Sequence, residues 1–305
     1  VLSAGHGSML LYALLHLSGF DLSMDEIKNF RQWGSRTPGH PEYGRTPGVE
    51  TTTGPLGQGF GNGVGMAIGA RMMAARFNQD DFSPITHRIY VIAGDGDMME
   101  GVTSEAASLA GHLKLSNLTV IYDDNHITID GATEVTFTED VANRFDAYGW
   151  FTQRIDGHNH EQIIRALDRA HGQDERPSLI LARTHIGNGS PHRHDTEEAH
   201  GSPLGPEEIK ATKEALNWPL EPTFLIPQEV RTLFSERSKG LESEHIEWEK
   251  KLSKWRERHP DLSELWNTLW NKKVPSDVFA DLLKTPPKMP NATRSVSSEL
   301  LQKIA

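Results

Sequence analysis

Two short polar segments could together hold a divalent cation against a diphosphate. The first is the turn Gly94-Asp95-Gly96, and the second is Asp123-Asp124-Asn125, about thirty residues further along the chain. Ligands of open parallel sheets bind beyond the carboxyl ends of the strands, so the fold would bring Asp95 and Asn125 together. Carboxylate and amide oxygens suit Mg²⁺, which keeps water and shares its coordination shell with phosphate oxygens.

Gly96 leaves the backbone bare where a diphosphate could approach the N-terminus of the next helix. A plain β-turn after a strand would also use glycines at these positions. These residues alone therefore leave both interpretations open.

Alternating strands and helices must position these segments. Apolar runs predict strands near Ile89–Ala93, Asn117–Tyr122, Trp150–Ile155 and Ser178–Ala182, and amphipathic runs predict helices near Met99–Leu113, Thr138–Tyr148 and His160–His171. Continuous apolar strands separated by amphipathic helices are typical of βαβ units on a parallel sheet. The predicted fold class is therefore α/β, with a doubly wound parallel sheet.

A helix predicted over Gly59–Phe77 has glycines crowded into its first half. Glycine costs about 1 kcal/mol relative to alanine inside a helix, so close packing against a backbone or a cofactor would have to compensate. A dinucleotide fingerprint needs G-x-G-x-x-G. Counted from Gly57 its last position falls on Asn62, and counted from Gly59 it falls on Val64, so the dinucleotide alternative fails.

The last third of the chain is polar and mainly helical. Residues 186–206 are rich in Gly, Pro and His and lack apolar periodicity, which is typical of a functional or disordered loop. Further helices are predicted at Glu207–Leu216, Glu242–His259, Leu262–Trp270 and Thr293–Ile304.

Composition excludes several classes of function. The net charge of −11 and the lack of a basic run argue against a nucleic-acid-binding surface. The chain has no cysteine, which removes disulfides and thiolate catalysis and fits a cytoplasmic protein. No run approaches the roughly twenty apolar residues that span a bilayer. Because the chain begins at Val1, an organelle-targeting peptide would lie outside it.

Several further motifs carry a family resemblance. They are Ser3-Ala4-Gly5-His6-Gly7-Ser8, Thr37-Pro38-Gly39-His40-Pro41-Glu42, Thr51-Thr52-Thr53-Gly54-Pro55-Leu56-Gly57-Gln58-Gly59 and Ala199-His200-Gly201-Ser202-Pro203-Leu204-Gly205. With the two acidic turns, they follow the order and spacing of the transketolase family. The chain resembles that family from Val1 to about Pro227 and again at residues 292–294.

The resemblance implies a thiamine-diphosphate-binding fold and a division into domains. Residues 1–220 would form the diphosphate-binding domain, 221–290 a mainly helical linker, and 291–305 the start of the pyrimidine-binding domain. The family's activating glutamate and stacking aromatic residue belong to that last domain and cannot be placed in this chain. We therefore expect a fragment of a longer enzyme or one subunit of a split enzyme, and the predicted helix Thr293–Ile304 favours a fragment.

The resemblance also assigns the cofactor contacts. Asp95, Asn125 and the backbone carbonyl of Ile127 would hold Mg²⁺, with Ca²⁺ or Mn²⁺ as substitutes. The thiamine diphosphate itself would contact Gly96, His6 and His200 at its phosphates, Ile129 and Ile186 at its apolar body, and Gly54 and Leu56 at its aminopyrimidine. His185 stands where relatives carry an apolar residue beside the thiazolium, so Ile186 is preferred for that contact.

Three histidines receive catalytic roles from the resemblance. An imidazole titrates near neutrality and can stabilise an oxyanion or shuttle a proton. His6 and His200 would act at the phosphates, with His200 also close to the reacting oxygen. His40 and His200 would contact the substrate, and His40 would bind the terminal hydroxyl of the donor sugar.

Three further groups have competing interpretations. Glu100 would serve catalysis at the subunit interface, where with Glu105 it would link two active sites, although both could be ordinary solvated helix charges. Arg294 would bind the terminal phosphate of the substrate with its planar fork. His192 and His194 could ligate a metal with the following aspartate, but we expect a solvated loop instead.

The activity implied is that of a transketolase, the transfer of a two-carbon ketol unit from a ketose phosphate to an aldose phosphate in pentose phosphate metabolism. The partners implied are sugar phosphates and either a second copy in a homodimer or a complementary subunit, with no nucleic acid and no membrane. Dihydroxyacetone synthase and deoxyxylulose-phosphate synthase are alternatives, although Arg294 and the His40 motif favour transketolase. A non-catalytic module that binds the cofactor or only dimerises is another.

Overall fold

A four-stranded parallel sheet forms the centre of the fold. The computed structural model describes residues 1–272, 277–284, 286–287 and 289–304. In chain order its strands are β1 (Ile89–Gly94), β2 (Leu118–Asp124), β3 (Ile127–Thr128), β4 (Gly131–Ala132), β5 (Phe151–Asp156) and β6 (Ser178–Arg183). The sheet order is β1-β2-β6-β5, with every pair parallel, and β3 and β4 form a separate antiparallel ribbon. The four predicted strands are confirmed, each within two residues of its expected bounds.

Helices lie before, between and after these strands in the chain. They are α1 (Ser8–Leu17), α2 (Met24–Lys28), α3 (Gln58–Phe77), α4 (Asp95–Met99), α5 (Gly101–His112), α6 (Val141–Ala147), α7 (His160–His171), α8 (Pro206–Ala215), α9 (Gln228–Arg258), α10 (Pro260–Trp270), α11 (Val278–Lys284) and α12 (Thr293–Ile304). Single 3₁₀ turns occur at Gly5–Gly7, Thr133–Val135 and Glu197–Ala199.

The sheet is covered on both faces, which confirms the doubly wound architecture. On one face α3 and α6 bury Phe60 and Phe145 against strand residues such as Val120. On the other face α7 buries Ala166 against Ile180. Because successive side chains of a strand point to opposite faces, the apolar runs of these strands serve two separate cores.

The helix predicted over Met99–Leu113 corresponds to α5 and is confirmed within two residues of its expected bounds. The structure has two helices, α4 and α5, and Glu100 between them is extended, with φ −74° and ψ 139°. The short helix α4 was not predicted; at its N-terminus, directly after β1, the side chain of Asp97 accepts the N–H of Gly94 at 2.9 Å. The predicted helix at Thr138–Tyr148 is also shorter, because Asp140 caps α6 by accepting the N–H of Asn143 at 3.1 Å.

The glycines of α3 permit close packing, as predicted. A Cβ on Gly59 would lie 2.5 Å from Ser3 Cα, and a Cβ on Gly63 would lie 2.3 Å from a methyl of Val91. Both distances are shorter than any real contact, so only glycine fits. Nothing in the structure explains the glycines at 65 and 69, where added Cβ atoms would meet no neighbour within 4 Å.

The chain divides into two compact units. The first comprises Val1–Asn78 and Ser83–Ile246, and it contains the sheet. The second comprises Gln79–Phe82 and Glu247–Ala305, where Arg258 and His259 contact the carboxylate of Asp81 at 2.6 and 3.2 Å. The linker helix predicted at Glu242–His259 begins earlier, at Gln228. Among the described residues, no helix combines the length and apolar character that crossing a membrane requires.

Candidate active site

The carboxylate of Asp95 is buried where β1 ends and α4 begins. It accepts two hydrogen bonds, from the Tyr122 hydroxyl to Oδ1 at 2.6 Å and from the backbone N–H of His126 to Oδ2 at 3.1 Å. A carboxylate has about four lone-pair sites, so both oxygens keep a site for a cation.

The electrostatic surroundings of Asp95 also suit a cation. Burial raises the pKa of Asp95 to about 6; the Tyr122 hydrogen bond opposes this rise, and the charge of Asp124 adds to it. Burial, with the charge of Asp95, raises the pKa of Tyr122 far above its usual value, so its hydroxyl stays a donor. A bound cation would offset the cost of holding an ionised carboxylate in this site.

The turn after β2 places Asn125 beside this carboxylate, because the next residue, His126, donates to Asp95. Asn125 Oδ1 accepts the N–H of Ile127 at 2.9 Å, and its Nδ2 donates to Asp123 at 3.1 Å. The amide is thereby fixed while its oxygen keeps one lone pair. The structure thus brings together Asp95 and the segment that holds the two other predicted ligands.

Asp97 is a buried residue of this turn that the sequence analysis did not single out. Its Oδ1 accepts hydrogen bonds from Ser3 Oγ at 2.8 Å and from the N–H of Gly57 at 2.7 Å. Its Oδ2 accepts the N–H of Gly94. One side chain therefore ties the Asp95 turn to the start of α3 and to the N-terminal segment. The only signal in the sequence was a second aspartate two residues after the first.

The three predicted histidines meet at one place. His6 Nδ1 lies 2.7 Å from His200 Nε2, and the His6 ring is edge-on to the rings of His40 and His200, with centroids 4.8 and 4.7 Å apart. Gly5 makes this approach possible, since a Cβ there would lie 2.6 Å from both His40 Nδ1 and Thr53 Oγ1. Histidines from three distant motifs thus form one cluster.

The cluster contains polar atoms that lack partners. His40 Nδ1, Thr53 Oγ1 and His200 Nδ1 are buried without a hydrogen-bond partner among the described residues. Buried polar atoms are normally satisfied, so their presence here fits a polar ligand such as a phosphate or a sugar hydroxyl. Burial lowers the pKa of His200, and burial and the nearby charges of His200, His40 and Arg31 lower that of His6. Both shifts favour the neutral form of these rings.

The N-terminal segment connects the Asp95 turn with the histidine cluster. A Cβ on Gly96 would lie 3.1 Å from Leu56 Cδ1, so the bare backbone of the turn faces that side chain, and Ser3, three residues before His6, is bonded to Asp97. Leu56 and Ile129, both predicted to contact the cofactor, are 48% and 62% exposed. Gly54, two residues before Leu56, is also exposed.

Three other predicted site residues lie outside the histidine cluster and the Asp95 turn. Glu100 lies between α4 and α5, with its Cβ 3.1 Å from the position of a Cβ on Gly57. Ile186 is half-buried, and its carbonyl accepts the N–H of Asp195 at 3.0 Å. Arg294 is exposed in α12 of the second unit. The roles of all three stay predictions. His192 does not join a metal trio with His194, because its Nδ1 contacts Glu208 at 2.8 Å.

Comparison with known proteins identifies the family. The family model for the thiamine diphosphate binding domain of transketolase matches residues 1–275. The chain belongs to the transketolase family. It is 51% identical over 308 aligned residues to the transketolase of Geobacillus stearothermophilus and 47% identical over 307 to that of Bacillus subtilis, covering all of this chain and 46% of each relative. The chain therefore spans about half the length of the transketolases it matches.

Solved transketolase structures have the same fold. The transketolase of Leishmania mexicana superposes with a TM-score of 0.94 at 41% identity, covering 99% of this chain and 45% of that one. A Pichia stipitis transketolase, solved in complex with sedoheptulose 7-phosphate, superposes with a TM-score of 0.93 at 41% identity, covering 100% and 45% of the two chains. These matches confirm the family resemblance that the sequence motifs predicted.

Proposed function

We propose that this chain is the diphosphate-binding part of a transketolase that transfers a two-carbon ketol unit from a ketose phosphate to an aldose phosphate. The observation that carries this proposal is that one N-terminal segment connects two features: Ser3 donates to Asp97 in the buried Asp95 turn, and His6 lies in the cluster with His40 and His200. A buried carboxylate in one feature and histidines in the other suit a cofactor that has a diphosphate at one end and a reacting carbon at the other.

The residues present fit Mg²⁺ and thiamine diphosphate. Asp95, Asn125 and the carbonyl of Ile127 would hold the metal, with Ca²⁺ or Mn²⁺ able to replace it, since all three ligands are oxygens. When bound, thiamine diphosphate supplies the electron sink for cleavage of the C–C bond, and the protein supplies orientation and electrostatics. Gly96 would lie against the diphosphate, and Leu56, Gly54, Ile129 and Ile186 would contact the rings.

The histidine cluster would orient the substrate and move protons. His6 Nδ1 and His200 Nε2 are 2.7 Å apart, so one neutral ring would donate to the other and His6 would keep its second nitrogen for a ligand. His200 could then give or take a proton at the reacting oxygen while His6 binds a phosphate oxygen. The unpartnered Nδ1 of His40 would hydrogen-bond to the terminal hydroxyl of the donor, and Arg294 would bind the phosphate at its other end.

A partner subunit would complete the site. Three apolar side chains of α5 and its C-terminal cap, Val102, Leu109 and Leu113, are exposed at helical spacing, which is typical of a surface that packs against another helix. Glu100 and Glu105 would lie at the same interface. We propose a homodimer, or a complementary subunit with the pyrimidine-binding domain, in the cytoplasm; the absence of cysteine supports that compartment.

Ketol transfer from a ketose phosphate donor, measured with thiamine diphosphate and Mg²⁺, tests the proposal. The chain should be assayed alone and together with a polypeptide that supplies a pyrimidine-binding domain. We expect turnover only in the second case. An acceptor screen separates transketolase from dihydroxyacetone synthase and deoxyxylulose-phosphate synthase. Cofactor binding without turnover in any combination would favour the non-catalytic module instead.

A further inference from the structure

A second group of possible metal ligands lies outside the thiamine site, on the loop after β6. His185 Nδ1 is 2.8 Å from Asp195 Oδ2, and His194 Nε2 is 3.3 Å from the same oxygen. The ligand atoms that these three residues offer all lie within 4.8 Å of one another. We propose that His185, His194 and Asp195 form a binding site for a divalent transition metal of the Zn²⁺ type.

The spacing of the ligand atoms supports this assignment. Zinc binds imidazole nitrogen and carboxylate oxygen at about 2.0–2.1 Å, so neighbouring ligand atoms of a tetrahedral site are about 3.3 Å apart. The two measured separations, 2.8 and 3.3 Å, are at or just below that distance. A bound metal would replace the hydrogen bond and ion pair that now join these atoms.

The backbone of the loop holds the two ends of the site together. The N–H of Asp195 donates to the carbonyl of Ile186 at 3.0 Å, which places Asp195 next to His185 although they are ten residues apart in the chain. Asp195 adopts a left-handed conformation, with φ 55°. This conformation is uncommon for residues other than glycine, but aspartate and asparagine tolerate it.

Neighbouring rings also fix the orientation of His185. Its ring stacks on that of His194, with centroids 4.9 Å apart and planes at 22°, and on that of His158, with centroids 5.7 Å apart and planes at 16°. The backbone N–H of His185 donates to His158 Nε2 at 3.0 Å. A ring held on both sides loses little freedom when it binds a metal, which favours affinity.

The donor set determines which metals would bind. Two imidazoles and one carboxylate suit Zn²⁺, Co²⁺, Ni²⁺ or Cu²⁺, whereas Mg²⁺ and Ca²⁺ prefer all-oxygen sites. Burial of Asp195 is outweighed by the hydrogen bond and charge of His185 and the charges of His194 and Arg183, so its pKa lies below the usual value. Its carboxylate is therefore ionised at neutral pH. The charge of Arg183, whose guanidinium donates to the carbonyls of Asp124 and Thr184, opposes a cation and lowers the expected affinity.

An occupied site would link the ends of the segment 185–195. This segment includes Ile186 and ends five residues before His200, so a bound metal would restrain the loop that leads into the histidine cluster. The two sites share no ligand, so binding at this loop can be measured while the proposed thiamine site is filled.

Co²⁺ titration of the full chain tests the proposal, since tetrahedral Co²⁺ absorbs visible light far more strongly than octahedral Co²⁺. Saturating Mg²⁺ and thiamine diphosphate are present throughout to occupy the Asp95 site. We expect a tetrahedral spectrum that saturates at one Co²⁺ per chain and is displaced by Zn²⁺. Mutation of a residue that only supports a metal ligand typically weakens metal binding by about 10–100-fold. His194→Ala removes a proposed direct ligand, so it should weaken Co²⁺ binding by at least about 100-fold.

Two further variants complete the test. Asp195→Asn keeps the shape of the side chain and tolerates the left-handed backbone, and it should lose binding even if His194→Ala fails to fold. His192→Ala changes a histidine of the same loop whose side chain contacts Glu208, so it should bind Co²⁺ like the unchanged chain. Unaltered binding in Asp195→Asn, an octahedral spectrum in the unchanged chain, or equal loss in His192→Ala would each overturn the proposal. None of these readouts depends on ketol transfer.

Discussion

The hydroxyl of Tyr122 donates a 2.6 Å hydrogen bond to Asp95 Oδ1, across the ends of two neighbouring strands of the sheet. Both side chains are buried. Because the hydrogen bond favours the ionised carboxylate against the effect of burial, Tyr122 supports the proposed metal site without being a ligand itself. This hydrogen bond therefore connects the pairing of β1 and β2 with the proposed metal site.

Tyr122→Phe should therefore weaken Mg²⁺ binding. Hydrogen bonds to charged groups contribute about 1.5–3 kcal/mol, which corresponds to roughly 10–100-fold in affinity. Calorimetric titration of Mg²⁺ with thiamine diphosphate present would measure the change. The matched control is Tyr12→Phe, which removes a buried hydroxyl that donates to Pro38 and lies in a different core cluster. Equal affinities for the two variants would contradict the role given to Tyr122.

The stability of the metal-free chain should depend on pH through Asp95. Its pKa is raised to about 6 in the folded state, so the folded chain binds more protons than the unfolded chain between pH 4 and 6. Protonation of Asp95 therefore stabilises the folded chain. This stabilisation is complete below the pKa of Asp95 in the unfolded chain and is lost as the pH rises through about 6, which changes the free energy of unfolding by about 3 kcal/mol at most.

Urea unfolding from pH 4 to 7 without metal would measure this loss. Asp95→Asn should remove this component of the pH dependence, since an amide does not titrate in the window. Mg²⁺ affinity should change in the opposite direction and rise with pH through about 6, because the metal needs the ionised carboxylate. A pH-independent Mg²⁺ affinity would argue against Asp95 as a ligand.

Asp97→Asn should destabilise the chain, with or without cofactor. The carboxylate accepts three hydrogen bonds and is 1% exposed, whereas an amide offers one acceptor oxygen and directs an NH₂ group at a donor. We expect a loss of about 3 kcal/mol in the free energy of unfolding. Asp130→Asn, at an exposed position, is the control and should change stability by less than about 0.5 kcal/mol.

The sequence predicted the elements that local patterns determine. The bounds of α7 at His160–His171 are confirmed because Asn159 caps the helix by accepting the N–H of Gln162 at 3.1 Å. The proximity of Asp95 and Asn125 also followed from the sequence, since parallel strands bring their carboxyl ends to the same edge of the sheet. Local signals and a simple topology rule were sufficient here.

The sequence did not predict features that depend on contacts between distant residues. The short helix α4 is one such feature, because its Asp97 side chain forms hydrogen bonds with Gly57 and Ser3, which lie far away in the chain. The cluster of His185, His194 and Asp195 was missed because the sequence pairs His194 with His192. In the folded loop, His192 contacts Glu208 instead.

Gly96→Ala should impair cofactor binding more than folding. A Cβ there would press on Leu56 at 3.1 Å, but Leu56 is half exposed and can move. The same methyl would occupy the space proposed for the diphosphate, so thiamine diphosphate affinity should fall by at least tenfold, or about 1.4 kcal/mol. Gly101→Ala is the control, since a Cβ at that position meets nothing within 4 Å. Calorimetry would measure the affinity of both variants for thiamine diphosphate. Equal affinities would show that Gly96 does not lie against the ligand.

His40→Ala should reduce use of the donor sugar while leaving cofactor affinity almost unchanged. His40 is partly exposed beside His6, and among the described residues its Nδ1 has no hydrogen-bond partner and no hydrogen bond joins its side chain to the Asp95 turn. Loss of one positioned hydrogen-bonding group in an active site costs about 10²–10³ in rate. In the assembled enzyme that carries this chain, kcat/KM for the ketose phosphate should fall by that factor. Calorimetry should give an unchanged Kd for thiamine diphosphate, and the exposed His87→Ala should change neither quantity. If cofactor affinity collapses in His40→Ala while donor kinetics per bound cofactor stay normal, then His40 belongs to the diphosphate side of the cluster and not to the sugar side.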